Sequence, residues 1–79
     1  MEMNDALTSL AALSQETRLS IFRLLVQSGP AGLPAGQISN RLAIAGPTLS
    51  FHLKELKICG LTSCRRDGRS LIYAANFAV

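Results

Sequence analysis

The first thirty residues repeat apolar side chains at helical spacing. Residues 5–13 place leucines at every third position and alanines at three of the other positions, which predicts a short helix whose apolar stripe is Leu7, Leu10 and Leu13. Ser14 then suits the N-cap of a second helix. Glu16 lies in the first turn of that helix, where a negative charge is favourable.

The second predicted helix has a broad apolar side. Its apolar residues are expected to bury most of the helix surface: Leu19, Phe22, Leu25 and Val26 on one face, widened by Ile21 and Leu24. Gly29 and Pro30 predict the end of the helix, because glycine accepts the left-handed conformation of a helix terminus and proline cannot continue the helix.

Two helices separated by a tight turn are predicted in the middle of the chain. Residues 29–36 form a connection rich in glycine and proline, which Leu33 can anchor to the core. Residues 35–42 predict a short helix, and residues 43–46 predict a turn. Pro47 suits the first position of the next helix, whose narrow buried stripe has leucines at i, i+4 and i+7: Leu49, Leu53 and Leu56.

The last segment changes to the two-residue period of a β-hairpin. Residues 62–66 and 69–74 are the predicted strands, and Asp67-Gly68 between them is among the strongest two-residue turn signals. Three arginines crowd the tip of this hairpin: Arg65, Arg66 and Arg69.

The order of these elements predicts a single domain over residues 1–79, mainly α with a small β-hairpin (α+β). The two middle helices form a helix-turn-helix over about residues 35–59, and the hairpin over about residues 61–75 is its wing. In such winged domains the second helix enters the major groove of double-stranded DNA, while the wing follows the backbone or enters the minor groove. The residues expected to contact DNA are Pro47, Thr48, Ser50, Phe51, His52, Lys54, Lys57, Arg65, Arg66 and Arg69.

Two of these residues have an alternative interpretation. Phe51 points away from the leucine stripe, so it either contacts a thymine methyl group or packs against a neighbouring element. His52 is either close to DNA or a surface or capping histidine. The hydroxyl groups in this set can bond bases or phosphates, and the two lysines are better suited to phosphates.

Charge is distributed unevenly along the chain, whose formal net charge is +3. Residues 1–40 carry two basic and three acidic side chains, whereas residues 41–79 carry six basic and two acidic ones. Clustered positive charge binds phosphate backbones by releasing their counterions, so the basic half favours an anionic partner. Taken alone, the charge fits a solvated basic face equally well.

Composition excludes several classes of protein. With 48% hydrophobic and 16% charged residues, the chain is too apolar for a disordered tail, and no apolar run reaches the ~18 residues of a membrane span. The N-terminus has no basic segment before an apolar stretch, so we expect no secretory signal and a cytoplasmic protein. The single histidine lacks a catalytic partner at useful spacing and no phosphate-binding glycine loop is present, so we expect no enzyme.

Three stretches together resemble the ArsR/SmtB family of bacterial transcriptional repressors, and its arsenite-responsive branch most closely: residues 15–25, 48–56 and 65–73. The resemblance covers almost the whole chain. It implies a homodimeric winged helix that represses an operator. It also implies release of that operator when a metal or metalloid ion, such as As(III), Sb(III) or a divalent metal, binds.

The sequence departs from this family's pattern at three places. Residues 35–42 lack the Cys-x-Cys motif that many members carry before the turn, and the cysteine-bearing helix of other members lies past Val79. That later helix also pairs with the first helix in the family's dimer, so weak dimerisation, or dimerisation through the first helix alone, stays open. Ala43 stands where the turn often has glycine, which predicts slight strain.

The two cysteines, Cys59 and Cys64, are expected to be reduced thiols and are the only candidate ligands for a thiophilic ion. Trivalent arsenic usually takes three thiolates, which one chain cannot supply. His52 cannot complete the site, because seven helical residues separate it from Cys59 by about 10.5 Å. The two cysteines lack ordinary metal-ligand spacing, so we interpret them as small, partly buried apolar residues. A metal site assembled across a dimer stays open.

Two other functions compete with ion-released repression. Winged helices also serve as protein-interaction modules, and a DNA-binding regulator need not sense a metal. The arginines of the hairpin favour a phosphate partner over an apolar one.

Overall fold

The computed structural model describes residues 3–76, with side chains from Ser14 to Asn76. These residues form three helices and an antiparallel sheet of strand order β1-β3-β2. The elements are α1 (Met3–Ser28), β1 (Leu33–Pro34), α2 (Ala35–Leu42), α3 (Gly46–Ile58), β2 (Thr62–Asp67) and β3 (Ser70–Ala75). None of the described helices combines the length and the apolar character that a membrane span requires.

The first helix is longer than predicted. α1 runs without interruption from Met3 to Ser28, so the prediction of two helices with Ser14 as an N-cap is wrong. No glycine or proline lies within this segment, and a serine inside a helix costs only about 0.5 kcal/mol relative to alanine. The predicted end is confirmed, because Gly29 adopts a φ of 71° directly after the helix.

Only one side of α1 is buried in the described part of the chain. Ile21 and Leu25 are fully buried, whereas Leu19 is 48% and Val26 is 40% exposed, so the prediction that one broad apolar face is buried on most sides is wrong. At 100° per residue, Leu19 lies nearly opposite Ile21 on the helix. The side chains of the predicted stripe Leu7, Leu10 and Leu13 lie outside the described side chains.

The core forms where all three helices meet the sheet. Leu33 is buried and belongs to β1, a short strand that the sequence did not predict and that pairs with β3. Gly32 precedes it with a φ of 70°, and a Cβ at this position would overlap the carbonyl oxygen of Tyr73. The buried cluster comprises Ile21, Leu25, Leu33, Ile38, Leu49, Leu53, Leu56 and Ala75.

The turn between α2 and α3 has the strain that the sequence predicted. Ala43 ends α2 with φ 54° and ψ 44°, in the left-handed region that glycine normally occupies. Its N–H donates to the Ser39 carbonyl oxygen, which fixes this conformation. Both predicted helices are confirmed, although α3 begins one residue earlier, at Gly46.

The predicted hairpin is present with its turn shifted by one residue. Asp67 pairs with Ser70, so the two loop residues are Gly68 and Arg69 rather than Asp67 and Gly68. Gly68 has a φ of 63° and Arg69 does not have a positive φ. A glycine at the first loop position alone satisfies this turn, so Asp67 is free to extend β2.

Candidate nucleic-acid interface

The outward side of α3 carries most of the side chains predicted to contact DNA. The helix packs inward through Leu49, Leu53 and Leu56, which confirms the predicted leucine stripe. The predicted contact residues on its other sides are exposed: Pro47, Thr48, Ser50, Phe51, Lys54 and Lys57. The structure therefore keeps these hydroxyl, aromatic and ammonium groups together on one accessible surface.

His52 does not belong to this surface. Its side chain is 6% exposed, and its Nδ1 atom is buried without a hydrogen-bond partner. Burial, and secondarily the positive charge of Arg18, lower the pKa of His52 below its ordinary value of 6.5. The prediction that His52 contacts DNA or lies on the surface is therefore wrong. Its position three residues after Leu49 and four before Leu56 already placed it on the buried stripe.

Phe51 is both exposed and held by neighbours. The residue is 55% exposed. The guanidinium carbon of Arg18, on α1, lies 6.0 Å from the ring centroid. The His52 ring meets it edge-on, with centroids 5.7 Å apart and an interplanar angle of 69°. The predicted packing contact is present, and the exposed part of the ring remains accessible. Sequence reasoning did not single out Arg18, because it lies on a different helix 33 residues earlier.

The three wing arginines differ in their surroundings. Arg65 donates a hydrogen bond from Nη2 to the carbonyl oxygen of Ala31 at 2.9 Å, so its guanidinium is directed towards the loop after α1. Arg66, opposite Leu71 in the hairpin, and Arg69, in its two-residue loop, are exposed. Neither forms a hydrogen bond or an ion pair within residues 14–76. These two arginines have the freedom to meet an external anion.

The start of α2 connects α3 with the wing. Ala35 and Gly36 line one cleft together with the start of α3, at Gly46, Leu49 and Ser50. The same two residues line a second cleft together with the wing tip, at Arg69, Ser70 and Leu71. The exposed side of α3 and the arginine-bearing loop therefore border the same stretch of α2.

Both helices of this pair begin without a side-chain cap. Pro34 precedes α2 and Ala45 precedes α3, and neither can offer a side-chain acceptor to the first N–H groups. Uncapped N–H groups and the helix dipole attract anions such as phosphate. The start of α2 lines a cleft with Arg69, and the start of α3 lines the neighbouring cleft. Both helix starts add to the suitability of this surface for a phosphate backbone.

The two cysteines differ in environment. Cys59 is exposed at the end of α3, and Cys64 is half-buried on β2 opposite Tyr73. Burial of Tyr73 raises the pKa of its hydroxyl, and the hydrogen bond to Cys64 and the negative charge of the Cys64 thiolate form raise it further. Among the described residues, no group of three or more His, Cys, Asp or Glu side chains could hold a metal ion. The structure thus gives Cys64 a neighbour that the sequence did not reveal.

Comparison with known protein families gives one match that covers most of the described chain. The sequence pattern of a helix-turn-helix domain family matches residues 13–62. This range includes the second half of α1, both helices of the helix-turn-helix and the first residue of β2.

Two curated proteins are similar in sequence. The uncharacterized HTH-type transcriptional regulator YceK of Bacillus subtilis is 42% identical over 59 residues, which are 75% of this chain and 58% of YceK. The transcriptional activator HlyU of Vibrio cholerae is 33% identical over 75 residues, which are 92% of this chain and 67% of HlyU. The chain thus spans a little more than half of the length of YceK.

A solved structure supports the same fold. HlyU from Vibrio cholerae superposes with a TM-score of 0.72 at 29% identity, covering 99% of this chain and 84% of the HlyU chain. Together with the family match, this similarity confirms the predicted winged helix-turn-helix.

Proposed function

The chain belongs to the helix-turn-helix domain family, and on that premise we propose that it is a transcriptional regulator that binds double-stranded DNA. In this proposal the outward side of α3 enters the major groove, and Arg66 and Arg69 of the wing contact the backbone or the minor groove. The chain is a binding protein rather than an enzyme. We do not include His52 among the contact residues, because it is buried.

One observation carries the proposal. Ser50 and Lys54 on α3 and Arg69 on the wing are exposed, and α3 and the wing border the same start of α2. A duplex lying along that start of α2 would meet hydroxyl groups, an exposed aromatic ring and freely directed cations together. Hydroxyl and aromatic groups suit base edges, and cations suit phosphates.

Salt-dependent binding to a random-sequence duplex tests this function. We expect the affinity to fall steeply between low and moderate salt, and the slope to decrease by about one for each lost phosphate contact in Lys54→Gln and Arg69→Gln. Arg23→Gln is the matched control, since it removes the same charge from an exposed position on α1. An affinity that does not change with salt would contradict the proposal.

The resemblance to the arsenite-responsive branch implies that the regulator is a repressor and that binding of an ion releases it from DNA. Cys59 offers an exposed thiol, but the two cysteines of one chain do not complete a three-thiolate arsenite site. Release would therefore need thiolates from two copies. Titrating arsenite, antimonite, zinc and cadmium into the protein–DNA complex, with Cys59→Ser and Cys64→Ser as controls, tests it. If no ion releases DNA, the regulator acts without metal sensing.

A homodimer is the assembly that we propose, because two-fold regulators read palindromic sites with half-sites one DNA turn apart. We place its interface at a groove between α1 and the end of α3, whose apolar lining is Leu19, Phe22, Leu56, Cys59 and Leu61. Sedimentation at micromolar concentration tests this. Leu19→Glu should shift the protein towards the monomer. Ser20→Glu, which adds the same charge on another exposed side of α1, should not.

A protein-interaction module is the second candidate, and one exposed side chain favours it. Ile58, at the end of α3, is 69% exposed and lies on the same outward side as Phe51. An apolar partner would cover Ile58, whereas duplex binding does not require it. If Ile58→Ser binds DNA with the affinity of the wild-type protein, the result favours a DNA-binding regulator over a protein-interaction module.

A further inference from the structure

The contact between Arg18 and Phe51 joins α1 to the DNA-facing side of α3. The guanidinium carbon lies 6.0 Å from the ring centroid, at the limit of an attractive cation–π contact. Arg18 is half-buried, and its Nε atom is buried without a hydrogen-bond partner. Within residues 14–76 it forms no ion pair, although Glu55 lines the same groove. The aromatic ring is therefore the partner against which this guanidinium is held.

The Phe51 ring also contacts His52, whose side chain is buried. His52 meets Phe51 in an edge arrangement, and His52 is fixed in the buried stripe of α3. A phenylalanine side chain has only two rotatable bonds, so contacts with Arg18 and His52 limit the rotamers that Phe51 can adopt. Yet 55% of its surface stays exposed, which is the condition for contact with an external group.

We propose that Arg18 is a positioning residue for Phe51, and that it thereby contributes to base selection without contacting a base. The proposal rests on the proposed function, in which α3 lies in the major groove. There the exposed part of the ring contacts the methyl group of a thymine, and Arg18 holds the ring in the orientation that makes this contact. Arg18→Gln leaves Phe51 in place but free to change its rotamer.

Thymine and uracil duplexes provide a direct test. The wild-type protein first selects a duplex from a random pool, and each thymine of that duplex is then replaced by uracil, which lacks only the methyl group. At one position we expect about a four-fold loss of affinity, the effect of burying roughly one methyl group. We call the affinity for the thymine duplex divided by that for the uracil duplex the thymine ratio. Phe51→Ala should reduce this ratio to one, and Arg18→Gln should move it towards one. The double variant should not differ from Phe51→Ala.

A phosphate contact by Arg18 predicts a different pattern. Loss of such a contact in Arg18→Gln would lower the affinity for all duplexes equally and reduce the salt slope by about one. Arg18→Lys, which keeps the charge, would restore both. Positioning instead predicts that the salt slope is the same in the wild type, Arg18→Gln and Arg18→Lys. It also predicts that Arg18→Lys, which keeps the charge but loses the planar guanidinium, does not fully restore the thymine ratio. Arg23→Gln is the charge-matched control and should leave the ratio unchanged.

The outcomes separate this inference from the function on which it rests. Salt-dependent binding with an unchanged thymine ratio in Arg18→Gln would overturn the positioning role and leave the DNA-binding function standing. The absence of any methyl-sensitive position would do the same. No salt-dependent binding of the wild-type protein would overturn both. Circular dichroism and thermal melting of every variant show whether it is folded, and Arg18→Lys serves where Arg18→Gln does not fold.

Discussion

The guanidinium of Arg65 reaches across the sheet to the carbonyl oxygen of Ala31, 34 residues earlier in the chain, with an Nη2–O distance of 2.9 Å. Arg65 pairs with Ile72 on the central strand, and Ile72 is buried next to Gly32. The Arg65 side chain thus passes over a buried isoleucine and fastens the wing to the loop after α1. One of the three wing arginines is therefore a brace for the wing.

This difference between the arginines predicts different effects of the same substitution. Arg65→Gln should lower the free energy of unfolding by about 0.5–1 kcal/mol, since it removes a charge-assisted hydrogen bond at an exposed site. Arg69→Gln should leave stability unchanged and weaken binding to duplex DNA. Urea unfolding and salt-dependent gel shifts measure the two effects. Equal stability of the two variants would contradict the bracing role of Arg65.

Substitutions on opposite sides of α3 should separate folding from binding. Leu53 is 1% exposed, so Leu53→Ala should destabilise the protein by about 2–5 kcal/mol through the cavity it leaves. Ser50 is exposed, so Ser50→Ala should change stability by less than about 0.5 kcal/mol. If Ser50 contacts a base, its loss should weaken DNA binding by about 1–3 kcal/mol. Similar melting temperatures for both variants would show that the two sides are assigned wrongly.

The left-handed backbone at Ala43 offers a stabilising substitution. A non-glycine residue in this conformation costs about 1–2 kcal/mol of stability. Glycine removes that cost, but it lowers the free energy of unfolding by about 0.4–1 kcal/mol because the unfolded chain becomes more flexible. We therefore expect Ala43→Gly to stabilise the protein by about 0.5–1 kcal/mol. Ala31→Gly, at an exposed loop position without a positive φ, is the matched control and should destabilise it. Thermal melting compares the two variants. A loss of stability in Ala43→Gly would contradict the inference that the backbone at Ala43 is strained.

Burial of His52 predicts that the protein loses stability in mild acid. Its pKa is lowered in the folded state, first by burial and then by Arg18, so the unfolded chain binds a proton more readily than the folded one. The stability contributed by the neutral imidazole is complete above the unfolded-state value of 6.5 and is lost as the pH falls towards the folded-state pKa.

Melting temperatures measured between about pH 7.5 and 5 show this effect. His52→Gln, which does not titrate in that range, is the control and should have a flatter profile. Parallel profiles for the two proteins would mean that protonation of His52 does not affect folding.

Periodicity along the chain was sufficient for much of the fold. The leucine spacing after Pro47 identified α3 to within one residue and the leucines of its buried side, and the two-residue alternation around Gly68 identified the wing. These patterns are local, since each depends on residues within a few positions of one another and on the geometry of a single helix or hairpin. The exposure of the predicted hydroxyls and lysines follows from the same geometry.

Contacts between distant segments produced the features that no local pattern contains. Leu19 and Val26 match an apolar helix face, yet they are exposed because no element of the described residues covers them fully. Phe51 has Arg18 beside its ring only because the fold brings α1 next to α3. The burial of a side chain depends on which element covers it, and helical spacing specifies the direction of a side chain but not its neighbour.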